Sequence, residues 1–131
     1  MDFLLVHQHS ISQIQLFLAE VFDCLSERIR IFSVEEINSL NEELDDSSLD
    51  CVCILSSVRG DASQLLQLYR YKIGGPDALT RIVDIALKNR ISCYVPSNSL
   101  DGWIYVSDDF AQRRVHQITC DEEDCFLFEL I

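Results

Sequence analysis

Ser10-Ile-Ser-Gln-Ile-Gln-Leu-Phe-Leu-Ala-Glu-Val-Phe22 lies between two short apolar stretches, Phe3-Leu-Leu-Val6 and Arg28-Ile-Arg-Ile31. Ile14, Phe17, Leu18, Val21, Phe22 and Leu25 recur at helical spacing, so they form one apolar stripe. Ser10 with Gln13 makes a capping box at its start, and Ser12 with Gln15 offers a second frame. The run before it is continuously apolar, as in a strand covered on both faces. The run after it alternates, as in a half-exposed strand. Strand, helix, strand is the opening of an α/β fold.

The pattern continues outward. Ser33 and Glu36 form another capping box, ahead of a weaker helix carrying Ile37, Leu40 and Leu44. Asp50-Cys-Val-Cys-Ile-Leu55 contains a buried strand. Ala62, Leu65, Leu66 and Tyr69 predict a third helix, broken by Gly74-Gly-Pro76. Leu79, Ile82, Val83, Ala86 and Leu87 predict a fourth, with Asn89 placed to cap its C-terminus. Residues 91–95 read as the next strand. Gly102-Trp-Ile-Tyr-Val106, Arg114-Val-His-Gln-Ile118 and Phe126-Leu-Phe-Glu-Leu-Ile131 then read as strands with no helix between them. Helix-length crossovers imply parallel neighbours, and short turns imply antiparallel ones. The expectation is a single α/β domain over residues 1–131. It is a sandwich with a mixed sheet, parallel βαβ units first and antiparallel strands at the C-terminus.

Ten Lys and Arg face 22 Asp and Glu, a net charge of −12. That balance argues against a direct nucleic-acid binder, which needs cations for the phosphate backbone. No apolar run approaches the roughly 18 residues of a membrane span, and Met1-Asp-Phe3 lacks the basic start of a secretory signal. The expected location is therefore cytoplasmic, with the six cysteines reduced. Cys51, Cys53 and Cys93 lie in apolar runs and read as small core hydrophobes.

Each candidate chemistry has a structural reading beside it. His7 and His9 share one side of an extended segment. Leu4-Leu-Val-His-Gln-His-Ser10 resembles the strand-end His-x-His of amidohydrolase-type metal hydrolases. The further His and Asp ligands that such a site requires are not evident, so the pair reads as polar residues at a strand end, with no metal or cofactor expected. Cys120-x4-Cys125 brackets four acids; Cys51 and Cys53 share one face of their strand and could add two zinc ligands, but that strand reads as buried and the pairs lie far apart in the chain, so the bracket reads as a tight solvated turn. Ser56-Ser-Val-Arg-Gly-Asp61 follows a buried strand and is expected to open a helix, a place where ligands bind in parallel α/β sheets. It has no Gly-rich phosphate loop, and its Arg59-Gly60-Asp61 match to the integrin tripeptide reads as chance. No nucleophile, base and acid stand at a recognisable spacing, so an enzyme is not expected.

The acids are unevenly placed. Residues 31–58 hold seven (Glu35, Glu36, Glu42, Glu43, Asp45, Asp46 and Asp50) and no base. Asp108-Asp109 and Asp121-Glu-Glu-Asp124 add two clusters. Trp103 and Tyr105 share one face of their strand, flanked by Asp101, Asp108 and Asp109. Aromatic anchors rimmed by charge suit a protein-binding patch; the structural alternative is that Trp103 packs under a helix. In size, charge and lack of a catalytic motif the chain resembles small acidic bacterial immunity proteins and antitoxins, including those of contact-dependent inhibition systems. The resemblance implies a basic protein partner, such as a nuclease toxin domain, neutralised by electrostatic and steric blocking. The candidate contacts are Glu42, Glu43, Asp45, Asp46 and Asp50, with Trp103, Tyr105, Asp108 and Asp109. Two alternatives stay open: a small enzyme or ligand-binding domain near His7 and Ser56–Asp61, and an acidic nucleic-acid mimic.

Overall fold

A computed structural model describes residues 1–39, 48–72, 77–97, 102–107, 109 and 111–131. In chain order it contains β1 (Asp2–Leu5), α1 (Ile11–Phe22), a short 3-10 turn (Ser26–Arg28), β2 (Ile29–Ser33), α2 (Val34–Ser39), β3 (Cys51–Ser57), β4 (Arg59–Gly60) and β5 (Gln64–Tyr71). After these come α3 (Ala78–Asn89), β6 (Cys93–Pro96), β7 (Gly102–Val106), β8 (Gln112–Ile118) and β9 (Cys125–Leu130). The strands form one mixed sheet in the order β2-β3-β5-β1-β6-β7-β8-β9-β4. The fold is thus α/β, as the alternation of patterns predicts. Parallel pairing occurs where α2 carries β2 to β3 and where β4 meets β9. The paired neighbours β3–β5–β1–β6–β7–β8–β9 are antiparallel.

α1 starts as its sequence dictates. The Gln13 backbone N–H donates to Ser10 Oγ, and the Ser10 N–H donates to Gln13 Oε1. Ile14, Phe17, Leu18, Val21 and Phe22 are buried, and with α3 they cover one face of the sheet. The carbonyls at the end of α1 have no partners within the helix. Arg81 of α3 supplies them, its Nη2 donating to Glu20 O at 2.7 Å and its Nε to Val21 O at 3.0 Å. Lys88 and Asn89 both reach the Glu20 carboxylate, completing the clasp between the helices. The left-handed residue ending α3 is Arg90, φ 58°, one position beyond the expected cap. On the opposite face, Ile37 of α2 packs on Phe32, Leu49 and Val52.

Two expectations are corrected. Residues 64–71 form β5 rather than a third helix, and the 56–61 segment leads into strands rather than opening a helix. Along β5 burial alternates: Gln64, Leu66 and Leu68 are buried while Tyr69 is exposed. Leu66 and Leu68 enter the core under the helices, and Leu65 packs into a second core on the other face. A strand apolar on both faces satisfies the helical i, i+3, i+4 spacing by coincidence.

A curled sheet and an acidic hairpin as the candidate partner-binding surface

The second core lies on the face opposite α1 and α3, away from the strands on which α2 packs. Leu4, Val58, Ala62, Tyr94 and Val115 are its buried centre, with Trp103, Tyr105, Phe126 and Phe128 packed around them. No helix covers Trp103 there. The sheet curls instead, and β9 lays its aromatic side chains across β6 and β7. The Tyr94 ring stacks on Phe128 at 4.0 Å and on Tyr105 at 4.6 Å, while Trp103 meets Phe128 edge-on at 5.3 Å. Burial, then the nearby Tyr105 and Asp61, push the Tyr94 hydroxyl up to about 12. Tyr94, Tyr105 and Phe128 also line an open groove of about 440 Å³, with Asp109, Arg113 and Glu129 among its polar walls.

Arg59-Gly60-Asp61 closes the curl, and each of its residues engages the stretch leading into β9. The Arg59 N–H donates to Asp124 O at 2.8 Å, and its guanidinium reaches Glu122 at 3.1 Å. The Asp61 N–H donates to Phe126 O at 2.7 Å, and the Phe128 N–H donates to the Asp61 carboxylate at 2.9 Å. Gly60, at φ 98°, passes so close to Phe126 that a Cβ would collide with that residue's carbonyl. Behind this latch, Ser63 ties the segment to the end of β1 through Leu5 O and Val6 O. The role of the tripeptide is therefore visible only in three dimensions.

The four acids Asp121, Glu122, Glu123 and Asp124 stand exposed at the turn between β8 and β9. Cys120 and Cys125 bracket them and are joined in a disulfide, their Cα atoms 6.0 Å apart. This corrects the expectation that every cysteine is reduced. Of the four free thiols, Cys24 is half-buried and the other three are core: burial pushes Cys51 and Cys93 up to about 12 and raises Cys53 as well. Such thiols carry almost no thiolate and are unreactive.

The other predicted contacts are scattered. Glu42, Glu43, Asp45, Asp46, Asp101 and Asp108 lie outside the described residues. Asp50 holds the Arg28 guanidinium with two bonds, 2.7 and 3.2 Å, with Lys72 at 4.0 Å. Its bond to Arg28 holds its carboxyl below the usual range. Asp109 accepts from Ser107 and pairs with Arg113 at 3.0 Å, and these, the serine first, hold its carboxyl low too. Asp109 sits in the turn before β8 and the four-acid run follows β8, so the two clusters occupy opposite ends of that strand. Trp103, opposite Val115, lies toward the Gly102 end of β7, the end that faces the acidic turn.

The His7–His9 segment is a joint of the fold. Gln64 bonds both backbone groups of His9, each at 2.9 Å. Burial, then the neighbouring His7, lower the pKa of the His9 imidazole. Among the described residues no three His, Cys, Asp or Glu side chains are grouped to hold a metal ion. No helix among them is long and apolar enough to cross a membrane.

The cations explain why the surface stays acidic. Arg28, Arg59, Lys88 and Arg113 each end on a carboxylate of this chain, and Arg81 ends on backbone carbonyls. Five of the ten cations thus hold elements together, and the excess of carboxylates is left facing solvent. The four-acid turn, read in the sequence only as a recurrence of charge, is the densest such site among the described residues. Phe126 and Phe128, which complete the aromatic cluster, carry one signal in the sequence, their i, i+2 spacing. The chain matches no family model, no curated protein and no solved structure.

Proposed function

We propose that the chain is a binding protein that neutralises a basic partner, of the kind represented by bacterial nuclease toxins. Carboxylates lie over the cations with which such a partner holds phosphate, and the bulk of the domain denies substrate entry. One observation carries this reading: the four contiguous exposed acids 121–124, presented on a closed turn while Arg28, Arg59, Lys88 and Arg113 are paired within the chain. Opposite charge steers encounter and can raise association to ~10⁸ M⁻¹s⁻¹ or more at low salt. Glu42, Glu43, Asp45 and Asp46 extend the same chemistry along the chain. The strand-end alternative has less support, since residues 56–61 open no helix and Arg59 and Asp61 are engaged by β9 and the turn before it.

The test is stopped-flow association with a partner captured from the source cells, over a salt series. Asp121→Lys with Glu123→Lys should slow association by about tenfold or more at low salt and change dissociation less, as rim charges do. Added salt should mimic the substitution, since exposed charges are screened over ~8 Å at physiological ionic strength. A partner that is not basic, or an affinity unmoved by the reversals, defeats the reading.

A further inference from the structure

We propose that Cys120–Cys125 is a thiol–disulfide exchange site, whose redox state sets whether β9 stays latched over the aromatic core of the curled sheet. Both cysteines are half-buried, whereas Cys51, Cys53 and Cys93 are fully enclosed. An external dithiol can therefore reach this bond and leave the core thiols untouched. Its two sulfurs become a disulfide, and the two electrons and two protons it gives up leave Cys120 and Cys125 as thiols.

The consequence follows from what the ring holds. Four like charges sit on consecutive residues, and Asp124 adopts φ 55°, a left-handed conformation that costs energy for a residue with a side chain. The disulfide keeps this arrangement closed. Two of the latch contacts, the Arg59 N–H on Asp124 O and the Arg59 guanidinium on Glu122, end on residues inside the ring. Opening the ring lets the carboxylates separate and removes the fixed frame for both contacts. The remaining ladder between β4 and β9 pairs only Arg59 with Cys125 and Gly60 with Phe126. β9 is then held by the Asp61 bonds to Phe126 O and the Phe128 N–H and by its ladder with β8, and its Phe126 end loosens from the aromatic core, exposing apolar surface that the oxidised chain covers.

The chain reports on this directly, because its single tryptophan, Trp103, packs against Phe128. The experiment compares the oxidised chain with the same chain treated with dithiothreitol, without denaturant. Peptide mapping should find the disulfide between Cys120 and Cys125 before treatment and free thiols after it. Reduction should red-shift Trp103 emission and increase its quenching by acrylamide. It should speed amide exchange at Asp61 and Phe128 by about tenfold or more, leaving the amides of α1 protected. Cys120→Ser with Cys125→Ser should reproduce the reduced state and ignore dithiothreitol; the comparison on the unmodified chain stands even if that variant folds poorly. Absence of the bond under oxidising conditions overturns the proposal. Unchanged Trp103 emission and exchange on reduction also overturn it, as does loss of protection throughout the chain.

Discussion

At Gly60 one missing Cβ decides whether the sheet can close. The residue sits at φ 98° with the Phe126 carbonyl where a side chain would begin. Gly60→Ala must distort the backbone and push β9 away. The expected loss is roughly 2–4 kcal/mol, combining the penalty for a left-handed residue with that of a displaced contact. Urea unfolding measures it, and a loss below about 0.5 kcal/mol would mean that β4 does not approach β9 as described. The flanking Arg59 and Asp61 are ordinary charged residues whose importance lies in partners more than 60 positions away. No local pattern in the sequence carries that information, which is why the tripeptide reads there as accidental.

Among the elements, α1 is the most legible and β5 the least. The helix has a capping box, an uninterrupted apolar stripe and a face that matches the core, so propensity and packing agree. Phe17 is 4% exposed and its ring lies 6.2 Å from that of Phe3. Phe17→Ala should cost roughly 3–5 kcal/mol by thermal or urea unfolding, as buried aromatic truncations do. A cost under about 1 kcal/mol would mean the helix does not pack as described. Residues 64–71 mislead because the strand is covered on both faces, so its apolar residues do not alternate cleanly with polar ones. The i, i+2 pairing of Trp103 with Tyr105 is readable from strand geometry. Their cover is not: it comes from the curl that brings β9 over them, a contact between strands distant in sequence. Asp50 is likewise legible as an acid, but its engagement by Arg28 depends on β2 and β3 lying side by side.

For the molecule as a whole, the ion pairs set the response to acid. Glu20, Asp50 and Asp109 have carboxyls held below their ordinary values, 4.5 for Glu and 3.8 for Asp, by bonds led by Lys88, Arg28 and Ser107 respectively. A folded-state pKa below the unfolded one means the stabilisation is fully present above the ordinary value. It disappears as pH falls through the depressed one. Thermal stability should therefore decline on acidification from about pH 4.5 downward, the window those carboxylates define. Asp50→Asn should make the acid limb shallower and lower stability at neutral pH. An acid limb identical to that of the parent chain would show that the Arg28 pair contributes nothing measurable. These groups are exposed or half-exposed, so each contribution is small.

The latch has one more consequence. Phe126-Leu-Phe-Glu-Leu-Ile131 is a strongly β-forming apolar segment, the kind that recruits identical segments from other molecules when its backbone edge is bare. Here the start of that edge is already occupied: Phe126 O by the amide of Asp61, and the Phe128 N–H by the Asp61 carboxylate. The latch thus acts as a gatekeeper against fibrillar association, and the aspartate completes a hydrogen-bond row that a third strand residue would otherwise supply.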